Sequence, residues 1–229
     1  MVVLESREGG KVLDYSTVNQ HPFVNVRFIS VEGNSKIEVK PDLAELQIEV
    51  VTQSENLEDA QSENALKMND VIQSLLALNI EQRDIRTAFF NVFPRYDYIE
   101  GKQVFRGYEV TNALSVEIHD VNDVGLVIDT ALKNGANRIS QLTFKLENES
   151  GYYQQALQMA LQDAHEKAIA ISSKLKLSYM PLPIEIVEQT SGGRPILFKT
   201  AAAAQSSMET PIETGTITIE ATLKVKYQF

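Results

Sequence analysis

Cysteine is absent from the 229-residue chain. That one absence removes thiol nucleophiles, disulfides, thiolate zinc sites and acyl anchors on cysteine. It leaves the compartment open, because a chain without thiols suits oxidising and reducing surroundings alike. Long apolar runs are missing too. No segment approaches the ~20 apolar residues of a membrane-spanning helix, so no membrane span is expected. At the N-terminus only Val2, Val3 and Leu4 stand in an apolar row. A secretory signal needs a basic start and an apolar run of roughly 7–15 residues. The chain as it begins at Met1 is therefore expected to stay in the cytoplasm, and to be exported if Met1 stands in place of a removed signal. Basic residues are also few: 21 Lys and Arg against 31 Asp and Glu, a net charge of −10. Such a chain is repelled by phosphate backbones and anionic lipid surfaces. No run of Lys or Arg segregates to offset this, so nucleic acid is not an expected partner and the acidity serves solubility.

Sequence signatures of known chemistry are missing as well. There is no H-E-x-x-H, G-x-S-x-G or P-loop pattern. His21 sits in the N-terminal tail, His119 at a strand end, and His165 on a helix beside Asp163 and Glu166. A catalytic or metal role needs such residues to converge with a second ligand or a base; alone they read as solvated surface histidines. Glu45 and Glu49 have the spacing of outward strand residues rather than of a catalytic pair. The SGGRP stretch at 191–195 lacks the strand-to-helix context that lets a glycine-rich loop hold phosphate. No catalytic residue, metal ligand or cofactor is assigned, and the expectation is a protein that is not an enzyme.

What is present is periodicity. Residues 1–26 are polar and irregular, a loose tail ahead of one domain over 27–229. Phe23 to Val31 suits a strand, Gly33 and Asn34 a turn, and Ser35 to Lys40 a return strand. Pro41-Asp42 breaks the pattern. Ala44, Leu46, Ile48 and Val50 then alternate with Glu45, Gln47 and Glu49, the mark of a half-buried strand. Asn56 fits a helix N-cap with Glu58 and Asp59 in the first turn, and Leu57, Ala60, Met68, Val71, Ile72 and Leu75 share one helical face. Thr87 to Tyr98 and Gln103 to His119 form a hairpin around Glu100-Gly101-Lys102, with Leu114, Val116 and Ile118 inward.

A second helix is capped by Asp120 or Asn122, presents Val121, Val124, Ile128 and Ala131, and closes at Gly135. Ile139 to Leu146 is another strand. A third helix, Tyr152 to Leu175, repeats alanine at 156, 160, 164 and 168, a row small enough to let it lie close to a neighbour. Ile184 to Glu188 is a strand, 190–211 a mobile loop able to swing between subunits, and 214–229 the cleanest strand of all, with odd-numbered apolar residues from Ile217 to Phe229. The fold class that follows is α+β. Helices lie on one face of a mixed, largely antiparallel sheet, built from two strand–helix–strand units at 43–93 and 110–146, a third long helix and a C-terminal strand.

Six stretches in this order carry a resemblance: VEGNSKIEVKPDLAEL, AQSENALKMNDVI, DIRTAFFNVFPRYDY, GYEVTNALSVEIHDVNDVGLVIDTALKNGAN, QALQMALQDAHEKAIAI and TITIEATLKVKYQF. Together they resemble the SIMPL-domain family over roughly residues 27–229. That family is named for an animal member that associates with an innate-immune signalling kinase. Its bacterial members include periplasmic immunogenic proteins and proteins linked to oxidative-stress defence. The resemblance implies no catalytic residues, because the family has none established. It implies self-assembly, since some bacterial members are similar to building blocks of ring-like or channel-like oligomers, and it suggests a link to stress response. The signal peptide of most bacterial relatives is the chief departure.

One cluster stands apart from the core pattern. Phe89, Phe90, Phe93, Tyr96, Tyr98, Phe105 and Tyr108 lie close together in sequence beside Arg95 and Arg106. Neighbours on a strand point to opposite sides, so Phe89 and Phe90 cannot both enter the helix-covered core. The hairpin either buries its aromatics locally or presents an interface, where aromatics and Arg are enriched; stacking on single-stranded nucleic acid is disfavoured by the charge. Phe89, Phe93, Arg95, Tyr96, Tyr98, Phe105, Arg106 and Tyr108 are the candidate interface of a homo-oligomer. Two rival functions remain: a small-ligand binder or carboxylate enzyme with a cleft, and a peptide binder that adds a strand along 214–229.

Overall fold

The computed structural model describes residues 27–177, 180–189, 196–198 (backbone only) and 210–229. The N-terminal tail, with His21 and the expected strand start at Phe23, lies outside these residues, as does 191–195. Among the described residues, eight strands and three α-helices follow one another as β1 (Phe28–Val39), β2 (Leu43–Ser54), α1 (Leu57–Ala77), β3 (Ile85–Ile99), β4 (Lys102–Ile118), α2 (Val124–Lys133), β5 (Arg138–Lys145), α3 (Glu149–Lys174), β6 (Leu182–Glu188), β7 (Ile196–Phe198) and β8 (Thr216–Gln228). The class is α+β. Its described strand pairs are all antiparallel, and they divide between two sheets where the sequence reads as one.

The first sheet runs β3-β4-β2-β5. With α1 and α2 it makes a β-α-β-β-α-β succession, the split β-α-β arrangement of ferredoxin-like folds. The two strand–helix–strand units of the sequence are its halves. Ala44, Leu46, Ile48 and Val50 lie fully buried beneath the helices. The Asn56 side chain accepts a bond from the Glu58 amide at 2.9 Å and starts α1. Ala60, Asn64, Met68, Val71 and Leu75 form its buried stripe. Burial of the large ones is worth roughly 1.5–3 kcal/mol each, more than helix propensity contributes over the same turns. Asn64 donates to the carbonyls of Val50 at 2.9 Å and Val110 at 3.2 Å, tying α1 to both central strands. Gly135, at φ 118°, follows α2 as the left-handed closing residue expected of it.

The second sheet is β1-β8-β6, with β7 also on β8. Alternation explains β8: its odd residues from Ile217 to Tyr227 are buried under α3. Ala156, Ala160, Ala164 and Ala168 of α3 are likewise fully buried. Gly33 and Asn34 make no turn. β1 passes straight through them, paired with Leu223 and Thr222. Glycine is needed there for proximity: a Cβ on Gly33 would stand 1.9 Å from the Ala160 carbonyl oxygen and 2.8 Å from Ala164 Cβ. The true break falls at 40–42, where the chain crosses between the sheets.

Two further expectations change. The loop over 190–211 contains β7, whose backbone pairs with β8 from Ile196↔Thr218 to Phe198↔Thr216; residues 190–195 and 199–209 lie outside the described set. At its far end Thr210 is held by Asp129, through Oγ1 at 2.6 Å and its amide at 3.1 Å. The second change concerns β8, which is interior, with β1 on one side and β6 and β7 on the other. A strand without a free edge cannot take up a peptide by edge addition, so that function is overturned.

Gly33→Ala is expected to destabilise the chain by about 1–3 kcal/mol or more, because backbone lies on both sides of the clash. Urea unfolding measures this, and an unchanged midpoint would refute the close-approach role of Gly33.

Candidate functional site: an aromatic ribbon and an acidic cleft

β3 and β4 outrun the rest of their sheet. β2 stays beside β4 only as far as Ser54↔Tyr108. From Gly107 to the tip, β4 pairs with β3 alone. The tip is a tight turn whose two central residues, Glu100 at φ 49° and Gly101 at φ 79°, both have positive φ, as a primed hairpin turn requires. Gly107 allows the ribbon to leave the sheet: a Cβ there would lie 2.3 Å from the Ser54 carbonyl oxygen. Pro94 costs no ladder bond from a neighbour, because β3 is an edge strand.

The eight candidate residues distribute unevenly. Tyr96, Phe105 and Tyr108 come together, edge to face, with centroids 5.6 and 5.3 Å apart. Arg106 pairs with Asp97 at 2.7 Å, and the Arg95 guanidinium donates to Gln53 Oε1. Phe89 is half-buried. Phe93 and Tyr98 join none of these contacts and are 57% and 76% exposed. Phe90, Val92 and Ile99 are exposed on the same ribbon. Val92 and Ile99 were not legible as part of the surface, since strand aliphatics ordinarily read as core.

The uncovered face of the same sheet is polar and internally paired. Glu45 accepts from the Lys145 ammonium and from Ser115 Oγ at 2.8 Å. These bonds, that from Lys145 first, hold its carboxyl below the ordinary glutamate value. Glu49 points outward as the alternation requires, yet it is only 3% exposed, because Arg138 lies over it at 3.2 Å. The two acids are thus occupied in separate ion pairs rather than converging as an acid–base couple.

At the opposite end of β4 lies a cleft of about 490 Å³, within the range of small-ligand sites. The end of α1, the turn at Gln82–Asp84, the start of α2 and the link before α3 enclose it. His119 projects there between two carboxylates, Nε2 3.5 Å from Asp84 and Nδ1 3.3 Å from Glu147. The sequence alone places it on a solvated strand end. Residues 84, 119 and 147 are brought together only by tertiary folding, which no local spacing announces. His165 is half-buried and its ring lies 5.9 Å from that of Tyr227. No group of three or more His, Asp or Glu among the described residues is placed to hold a metal ion.

Comparison with known proteins agrees with the resemblance. The family model described as SIMPL, protein of unknown function (DUF541), matches residues 29–227. The chain is similar to the 26 kDa periplasmic immunogenic protein of Brucella melitensis, 25% identical over 216 residues that cover 87% of this chain and 84% of the relative. The protein of the same name from Brucella abortus is 24% identical over the same shares. The uncharacterized protein YggE of Escherichia coli K12 is 26% identical over 140 residues, 61% of this chain and 57% of the relative.

The lowered Glu45 value predicts a pH effect. A depressed carboxyl contributes stability that is full above its unfolded-state value and is lost as pH falls through the folded-state value. Glu45→Gln should therefore flatten the loss of stability between about pH 5 and pH 3. Urea midpoints taken across that range check it; parallel curves for parent and variant would contradict it.

Proposed function

The chain belongs to the SIMPL family, and from that premise we propose that it is a non-enzymatic assembly and interaction protein that associates with copies of itself through the aromatic ribbon. One observation carries the reading: the ribbon beyond Tyr108 is two-stranded and exposes large aromatics. Two strands alone are marginal in water, and packing against another surface offsets that weakness. Aromatics with Arg beside them, here Phe93, Tyr96, Tyr98 and Phe105 with Arg95 and Arg106, are the composition of buried interface centres. The periplasmic naming of the Brucella relatives favours export of this chain over residence in the cytoplasm. A role in stress response rests on the family resemblance.

Light scattering behind a sizing column tests the reading directly. An oligomer is expected at tens of micromolar, and a clean monomer there would overturn it. The double change Phe93→Ser with Tyr98→Ser should weaken association at least about tenfold while leaving the fold intact, since neither side chain enters the core.

A further inference from the structure

We propose that the ribbon of one copy docks on β6 of the next, so that assembly runs head to tail. The inference rests on the assembly reading above and names the surface that receives the ribbon.

β6 is built unlike the other strands of its sheet. Among the described residues β8 is its one ladder partner, so its outer edge is unpaired. Every residue from Leu182 to Glu188 is exposed. Leu182, Ile184, Ile186 and Val187 are 66%, 47%, 51% and 46% exposed, where strand aliphatics ordinarily lie inside. They occupy both faces: Val187 stands opposite Lys224, on the face turned away from α3, and Ile186 opposite buried Val225. A single exposed aliphatic needs no explanation, but a run of them on an unpaired edge marks a surface that meets another. Pro183 and the register shift between Pro183 and Glu185 keep a further strand from zipping along the whole edge. What β6 offers a partner is therefore its side chains.

Charge selects the occupant. Residues 180–189 hold Glu185 and Glu188 and no Lys or Arg, a net charge of −2. Glu185 meets Lys226 only at 3.7 Å, and Glu188 accepts from the neutral Tyr153 hydroxyl at 2.6 Å. Over residues 93–106 the ribbon holds Arg95, Lys102 and Arg106 against Asp97 and Glu100, a net charge of 3 − 2 = +1 in a chain whose total is −10. Arg106 is balanced by Asp97, but Arg95 donates to the neutral Gln53 amide, so its charge is left over. A ribbon-to-ribbon contact sets one patch against itself; it faces like net charge with like and leaves β6 bare. A ribbon-to-β6 contact faces unlike charges and covers both apolar surfaces at once. Because its two patches differ, each added copy still presents a ribbon and a β6 to the next.

Mixing two defective full-length variants tests this. Phe93→Ser with Tyr98→Ser disables the ribbon, and Ile184→Ser with Ile186→Ser disables β6. Light scattering behind a sizing column reads each alone and the two in equal amounts. Each alone should be a monomer at a concentration where the parent assembles, its association weakened at least about tenfold. Mixed, they should form a pair with one copy of each and grow no further, because one intact ribbon then meets one intact β6. Should the serine pair on β6 fail to fold, Leu182→Lys takes its place: it sets a cation before the ribbon's arginines, and the same pairing is expected. A parent that is itself monomeric overturns the assembly reading and this inference with it. A folded β6 variant that assembles like the parent overturns the inference alone, and so does a mixture in which both variants stay monomeric.

Discussion

α3 lies close against β1 at Ala160 and Gly33, and the second sheet depends on that approach. A helix can lie this near a strand only where neither contributes a bulky side chain. The alanine row supplies that on one side, and Gly33 on the other. With the helix so close, the odd residues of β8 and their partners on β1 fill a thin, dry layer, and Tyr227 is buried with a hydroxyl pushed above its ordinary value by that burial. Larger side chains along the row would lift α3 and open the whole layer to water.

The two sheets divide the work differently. The β3-β4-β2-β5 sheet is held by large aliphatic side chains under two helices, and it carries both candidate sites at the two ends of β4. One end leaves its neighbours and becomes a ribbon of aromatics and arginines. The other is walled by turns and helix ends, which bring isolated acids into one cleft. A single long strand thus separates an apolar, cationic surface from an anionic recess. The described bonds between the halves are few and local: the Glu147 amide donates to Asp42 at 2.8 Å, and Thr210 and Ile212 return the chain to the first sheet before β8 departs for the second.

Elements with strong periodicity were legible in the sequence, because alternation and the helical repeat report burial directly. The stripe of α1, the alternation of β2 and β8, and the alanine row all appear as written. Gly33 misled because glycine beside asparagine is also the mark of a turn, and only the helix across from it reveals the other use. The split into two sheets was hidden for a related reason. Pro41-Asp42 reads as a pause between neighbouring strands, while the chain uses it to cross from one sheet to the other. Adjacent Phe89 and Phe90 cannot share a face, so the sequence placed part of the aromatic cluster outside the core and left open whether the hairpin buries it locally or presents it. The cleft was not, because its acids look like ordinary solvated residues until the fold collects them.

The interior position of β8 has a consequence for the order in which the molecule is made. β1 precedes every other described element, and its partner β8 follows them all. Phe28 pairs with Gln228, at the far end of the described residues. The strand pairing of the β3-β4-β2-β5 sheet uses nothing beyond residue 145, so this sheet can form as it emerges from the ribosome. The other sheet has no central strand until β8 is made, so β1 waits for its described partner and α3 for the strand it lies on. Synthesis of β8 is therefore the event that closes the structure, and a product that stops before it keeps one half of the molecule while losing the frame of the other.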